Sequence, residues 1–257
     1  MKADPWLEPD WNAPPGVRAV VTTRAIAGQS LAPFDHFNLG SRCGDAPGAV
    51  AANRETLTSA LTLPASPRWL HQVHGAEVFD ADRCGVTDRE SGTTNEPAAD
   101  AAVATAAGSV LAILTADCLP ILFCADDGSA IGAAHAGWRG LANGVIEATI
   151  ARMRLPGSRL LAWLGPAIAA RSYEVGEDVR AAFVDANAAA ADAFAPTRPG
   201  HWHCDLYALA RQRLRAAGVT RIHGGDFDTF TDPRFYSYRR DRETGRFASL
   251  IWLDPRA

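Results

Sequence analysis

Three side chains combine the donor types of a transition-metal centre with settings that would present them: His74 in WLHQVHG at 69–75, Cys118 in LTADCLPILF at 114–123, and His135 in AAHAGWRG at 133–140. Each lies at the end of an apolar stretch beside a Gly, Pro or Asp that turns the chain, which is how distant positions converge. Imidazole nitrogen and thiolate sulfur suit zinc, and three protein donors leave a fourth tetrahedral position for water or substrate, the arrangement of catalytic rather than structural zinc. A cation there would keep Cys118 as thiolate and polarise a substrate oxygen or acidify a water. The donors form no compact CxxC or HExxH string. Spacing therefore leaves a second reading open, with Cys118 a small buried hydrophobe and the histidines ordinary core or surface residues.

Neighbouring polar residues need the same double reading. Asp117, directly before Cys118, could orient a ligand histidine or a bound water as a supporting carboxylate, or serve as a turn or cap residue. His71 is three residues before His74, and in an extended segment that spacing points the two to opposite faces, so His71 is left out of the centre. Gly137 and Gly140 could let amides approach an anion at a helix start, or make a tight strand-to-helix turn. His201-Trp202-His203 is the one HxH string, and it reads as a loop entering a helix at Leu206 without metal. A blue multicopper oxidase needs about ten histidines for its copper clusters, given copper's ligand preferences. This chain has 7, which excludes that site type.

The elements that must position these residues are short apolar runs bounded by Gly, Pro or Asp, expected as strands over 17–23, 68–78, 101–104, 110–115, 121–125, 130–135, 160–165 and 249–253. Continuous apolar character marks strands buried on both faces. Helices are expected over 46–61, 140–154, 176–190 and 206–217, the second from Ala142, Val145, Ile146, Thr149 and Ile150 on one apolar face. Strands in clusters with helices between them predict a mixed α/β or α+β domain built on large sheets. The weakly patterned segment 82–97 reads as a surface loop.

At 257 residues the chain is expected to be a single domain, 1–257. A net charge of -4 provides no basic surface for a nucleic-acid backbone, so no nucleic-acid partner is expected. No stretch approaches the roughly 20 apolar residues that span a bilayer, and no signal-like region opens the sequence, so the expectation is a cytoplasmic protein without a membrane partner. Five cysteines, an odd number, point to a reducing compartment.

The strings QVHG at 72–75, TADCLPILF at 115–123 and AAHAGWRG at 133–140 resemble the purine nucleoside phosphorylase family first catalogued as multicopper polyphenol oxidoreductase, or laccase-like, proteins. The likeness continues in FNLGSRCGD at 37–45, LGPAI at 164–168, YEVG at 173–176 and YSYRRDRETGRFASLIWL at 236–253, so it spans nearly the whole chain. It implies zinc on His74, Cys118 and His135, phosphorolysis of adenosine, inosine, guanosine and methylthioadenosine, and adenosine deamination as a further activity. It also implies an α+β fold, a four-layer α-β-β-α sandwich with large mixed sheets, as a monomer.

Phosphorolysis requires cations for phosphate, and arginine's planar fork binds two oxygens at once. The candidates are Arg42, Arg139, Arg239 and Arg240, each also readable as a surface ion-pair partner. Relatives often carry His where this chain has Arg42, so its role does not transfer from the resemblance. The competing readings are a deaminase or other zinc or cysteine hydrolase, with Cys118 as nucleophile and His135 as base, a copper-dependent phenol oxidase, and a non-enzyme whose zinc staples three strands.

Overall fold

In a computed structural model that describes residues 6–83 and 96–256, the apolar strands divide their side chains between two packing faces with period two. A four-stranded antiparallel sheet runs β1 (Trp6–Leu7), β2 (Val17–Thr22), β13 (Phe247–Leu253), β5 (Val110–Thr115) in spatial order. Val20, Val110 and Leu250 pack outward with Leu57 of α1 (Pro47–Ala60), while Val21, Ile113 and Ile251 face inward.

The inward side meets a six-stranded mixed sheet, β12 (Arg221–Gly224), β8 (Leu160–Leu164), β6 (Leu119–Ala125), β7 (Ile131–Ala136), β4 (Ala101–Ala104), β3 (Val78–Asp80). Its outer pairs are parallel and its inner ones antiparallel. Leu122 and Ile131 join the core between the sheets. Ile121 and Phe123 of the same strand turn outward onto α2 (Trp138–Ala142), α3 (Val145–Met153), α4 (Glu177–Val184) and α5 (Leu206–Ala216). Helix, sheet, sheet and helices make four layers. Burial on both faces explains why these strands are apolar throughout. One of the two main sheets is wholly antiparallel rather than mixed.

A small antiparallel sheet of β9 (Glu174–Gly176), β10 (Phe194–Arg198) and β11 (His201–Cys204) was not expected, because its strands are largely polar and exposed. The string HWHC is thus a strand and not a loop. The segment 68–78 forms only isolated bridges at Arg68 and His71 before β3, since the backbone turns at His74 in the left-handed region (φ 62°). The helix over 140–154 is interrupted at 143–144, separating α2 from α3. The one over 176–190 stops at Val184 and resumes as a 3-10 turn at Ala188–Ala193. A last short helix, α6 (Tyr238–Asp241), precedes β13. Most of the loop expected over 82–97 lies outside the described residues.

One connection matters most for function. Strand β5 belongs to one main sheet and β6 to the other, so residues 116–118 carry the chain across the gap between them. Cys118 sits on that crossing.

Candidate metal centre and cleft

Strand register brings Cys118 and His135 together, because Leu119 pairs with Ala136 and Pro120 with His135 across β6 and β7. His135 shares its strand face with Ile131 and Ala133, so it points between the sheets and is only 3% exposed. His74 reaches them from the turn before β3. Its Nε2 lies 4.0 Å from Sγ of Cys118, and its ring meets that of His135 edge-to-face at 4.8 Å. All three donor atoms lie within 4.8 Å of one another. Zinc–donor bonds of about 2.0–2.3 Å place tetrahedral neighbours roughly 3.5 Å apart, so a small contraction would seat one ion. Among the described residues this is the single group of three or more such side chains.

The residue that builds the centre is Asp100, which precedes β4 and is fully buried. Its Oδ1 accepts from the amide of His74 at 2.9 Å and from Nδ1 of His135 at 2.8 Å, and its Oδ2 accepts from Val73 and Gly75 at 3.1 and 2.7 Å. A carboxylate can only accept, so His135 carries a proton on Nδ1, and Nε2 is the nitrogen turned to the centre, free to donate once a metal displaces any proton there. The left-handed backbone of His74 costs about 1–2 kcal/mol. Three amide bonds to a buried anion offset it. Burial alone would raise the Asp100 carboxyl, but the bonds from His135, Gly75 and His74 outweigh it and hold it below the ordinary range.

Electrostatics single out Cys118 among the thiols. Burial pushes Cys124 and Cys204 up to about 12. Burial also opposes ionisation of Cys118, but the facing imidazoles of His135 and His74 override it and bring the thiol down to about 6. Burial likewise opposes charge on His135, and Cys118 with Asp100 raises it to about 9. Gly137 permits the approach. A Cβ there would lie 2.8 Å from Sγ of Cys118, a separation side-chain atoms do not adopt.

The donors line a cleft of about 370 Å³, whose walls include Leu70, Gln72, Leu114, Glu96, Arg42 and Arg246. Gln72 is fixed by two hydrogen bonds to the backbone of Leu114, at 2.8 and 2.9 Å. Tyr238 stands exposed at the rim.

The remaining sequence candidates scatter. Arg42 lines the cleft, 3.4 Å from Glu96. Arg139 is exposed, stacks over Trp138 at 4.5 Å and does not line the cleft. Arg240 spends its guanidinium on the carbonyls of Thr229, Phe230 and Phe235 and on Asp241, so it has no donor left for a ligand. Arg239 bonds the carbonyl of Glu174 and lies over the ring of Tyr173. Asp117 does not orient a histidine. Its carboxylate accepts from Thr229 Oγ1 at 2.7 Å and from the amide of Arg239 at 2.6 Å, tying the Cys118 crossing to α6. His71 takes part in backbone pairing with 97–99 and stays out of the donor group, as do His201 and His203. The signal for Asp100 was one carboxylate in PAADAAVA, a charge abutting an otherwise apolar strand.

Comparison with known proteins gives a consistent result. A family model described as multi-copper polyphenol oxidoreductase laccase matches residues 18–254. A protein of Xylella fastidiosa named purine nucleoside phosphorylase is 54% identical over 253 residues, covering 96% of each chain. Escherichia coli YfiH, of the same name, is 47% identical over 252 residues, covering 96% of this chain and 98% of that one. A crystal structure of a Neisseria meningitidis protein, 44% identical, superposes with a TM-score of 0.90 over 98% of this chain and 100% of that one.

Proposed function

The chain belongs to the family described as multi-copper polyphenol oxidoreductase laccase, and from the name its relatives carry and its own donor group we propose that it is a zinc-dependent purine nucleoside phosphorylase. It cleaves adenosine, inosine, guanosine and methylthioadenosine with inorganic phosphate. Relatives of that name align over almost the full length. The observation that carries the reading is His74, Cys118 and His135, backed by buried Asp100, lining a cleft large enough for a small metabolite and walled in part by arginine.

The donor chemistry fits zinc: two imidazoles and one sulfur already inclined to ionise. When bound, zinc supplies Lewis-acid polarisation of a ligand oxygen. The chain's own residues do the rest. Asp100 holds the Nδ1 proton of His135, Gly137 leaves room for the sulfur, and Asp117 steadies the crossing that carries Cys118. Leu70 and Leu114 make part of the cleft wall apolar, as a purine ring requires, and Arg42 adds positive charge for phosphate. Arg139 and Arg240 have no part in this assignment.

Adenosine deamination is the secondary activity we assign, because a three-donor centre with an open position also suits hydrolytic attack on a purine ring. Copper-dependent phenol oxidation is disfavoured by one donor group among the described residues and 7 histidines in all. The protein acts as a cytoplasmic monomer on nucleoside and phosphate, without nucleic-acid or membrane partner; no described helix is long and apolar enough to cross a membrane. The test is product analysis after incubation with adenosine. Adenine that forms only when phosphate is present supports phosphorolysis. Inosine formed irrespective of phosphate, with no adenine, defeats it.

A further inference from the structure

The cations of the cleft are not equivalent. Arg42 shares the single carboxylate of Glu96 with Arg54, with Oε1 3.0 Å from Nη1 of Arg54 and Oε2 3.4 Å from Nε of Arg42, so one positive charge of that trio is left over. The Glu96 oxygens also accept from Ser41 at 3.0 and 3.2 Å. Arg246 lines the same cleft and has no carboxylate partner among the described residues. Its Nη1 donates to the carbonyls of Thr244 and Gly245 at 2.8 and 2.9 Å, which fixes the guanidinium plane. Nε and Nη2, the edge that grips two oxygens side by side, make no hydrogen bond to a described residue.

The backbone around this side chain is built to hold it. The amide of Arg246 donates to Oδ1 of Asn38 at 2.8 Å, and its carbonyl accepts from Leu39 at 3.1 Å. Gly40 packs against the stem so closely that a Cβ there would lie 2.8 Å from Cγ and 3.1 Å from Cβ of Arg246. A half-buried guanidinium kept without a counter-ion is costly unless a ligand supplies the anion. The cleft it lines is also lined by Cys118 and His135, which gives that anion a reaction to enter.

We propose that Arg246 is the phosphate-binding residue of the cleft, presenting Nε and Nη2 to two oxygens of inorganic phosphate while Arg42, on the same cleft, adds charge. The assignment rests on the phosphorolytic reading for its purpose, but it can be tested apart from it. Inorganic phosphate is titrated calorimetrically into full-length, zinc-loaded wild-type protein, Arg246→Gln and Gly40→Ala. Gly40→Ala keeps the charge and displaces the stem, so it tests the same geometry should the glutamine variant fold poorly.

Loss of a charge-assisted pair predicts phosphate affinity at least about tenfold weaker in Arg246→Gln and weakened in the same direction in Gly40→Ala. In turnover assays the KM for phosphate rises by a similar factor, while the KM for adenosine stays within about twofold. Zinc content is unchanged. Phosphate affinity in Arg246→Gln within about twofold of wild type overturns the assignment. Adenosine 5′-monophosphate presents the same group and is titrated in parallel; a loss confined to the nucleotide, with inorganic phosphate unaffected, also overturns it. A wild-type enzyme that binds phosphate through Arg246 yet releases no adenine supports the subsite and removes the phosphorolytic reading alone.

Discussion

Asp100 and His135 are joined at 2.8 Å in a buried contact, and the carboxylate that holds this imidazole also gathers the amides of the turn presenting His74. Two of the three donors are thus aimed by one buried charge. Metal affinity and local fold must respond together when that charge is removed.

Asp100→Asn tests this coupling. An amide cannot accept at both ends, so an N–H of the turn or of His135 is left facing a donor, or His135 is forced to put its proton on Nε2. Zinc affinity, measured by chelator competition, is expected to fall roughly 10- to 100-fold. Thermal unfolding of the metal-free variant should show a loss of about 3 kcal/mol.

Gly137→Ala should act on the sulfur alone. The new methyl would sit 2.8 Å from Sγ of Cys118, so the thiolate must move out of the donor triangle. Overpacking of this kind costs about 1–3 kcal/mol. The expected outcome is a folded protein, by circular dichroism, whose zinc content after dialysis is well below that of wild type.

The metal-free protein has a definite pH signature. Cys118 titrates near 6 in the folded chain, so its share of stability is present above the ordinary thiol value and disappears as pH falls through about 6. His135 titrates near 9, so its share is full below the ordinary imidazole value and is lost as pH rises through about 9. Thiolate and imidazolium coexist between those limits. Iodoacetamide should therefore alkylate Cys118 of stripped protein at a rate that climbs through about pH 6. His135→Ala should move the rise upward. A rise near the ordinary thiol value in the unmutated protein would contradict the pairing.

Arg240 and Arg246 should separate cleanly by phenotype. Arg240→Ala strands the carbonyls of Thr229, Phe230 and Phe235. A stability loss of about 2–4 kcal/mol is expected, with the KM for phosphate unchanged. Calorimetric unfolding and steady-state kinetics on the same preparation check both halves.

Strand ends alone left the donor set open and the family resemblance named it; the fold brings those three side chains together, and the strands at 101–104 and 110–115 appear with the expected bounds. The support for those donors was not legible in the sequence. Asp117 adjoins Cys118 in the chain yet turns toward Thr229, whereas Asp100 reaches His135 across 35 residues by way of β4 and β7. Adjacency in sequence says little about which carboxylate faces a ring when a strand reverses direction between them. Arg246 was hidden for a related reason. Its distinction from Arg239 and Arg240 lies in which donors stay unused, a property of tertiary hydrogen bonding. The failure of 68–78 as a strand has a local cause, the left-handed turn at His74 that Asp100 stabilises.

The most direct measurement follows adenosine and phosphate with wild-type protein as purified, after removal of metal by chelator, and after reloading with zinc, with Cys118→Ala carried in parallel. The account predicts phosphate-dependent adenine release that stops on stripping, returns with zinc, and is missing in the variant at every stage. Adenine release that survives stripping, or that persists in Cys118→Ala, would contradict it.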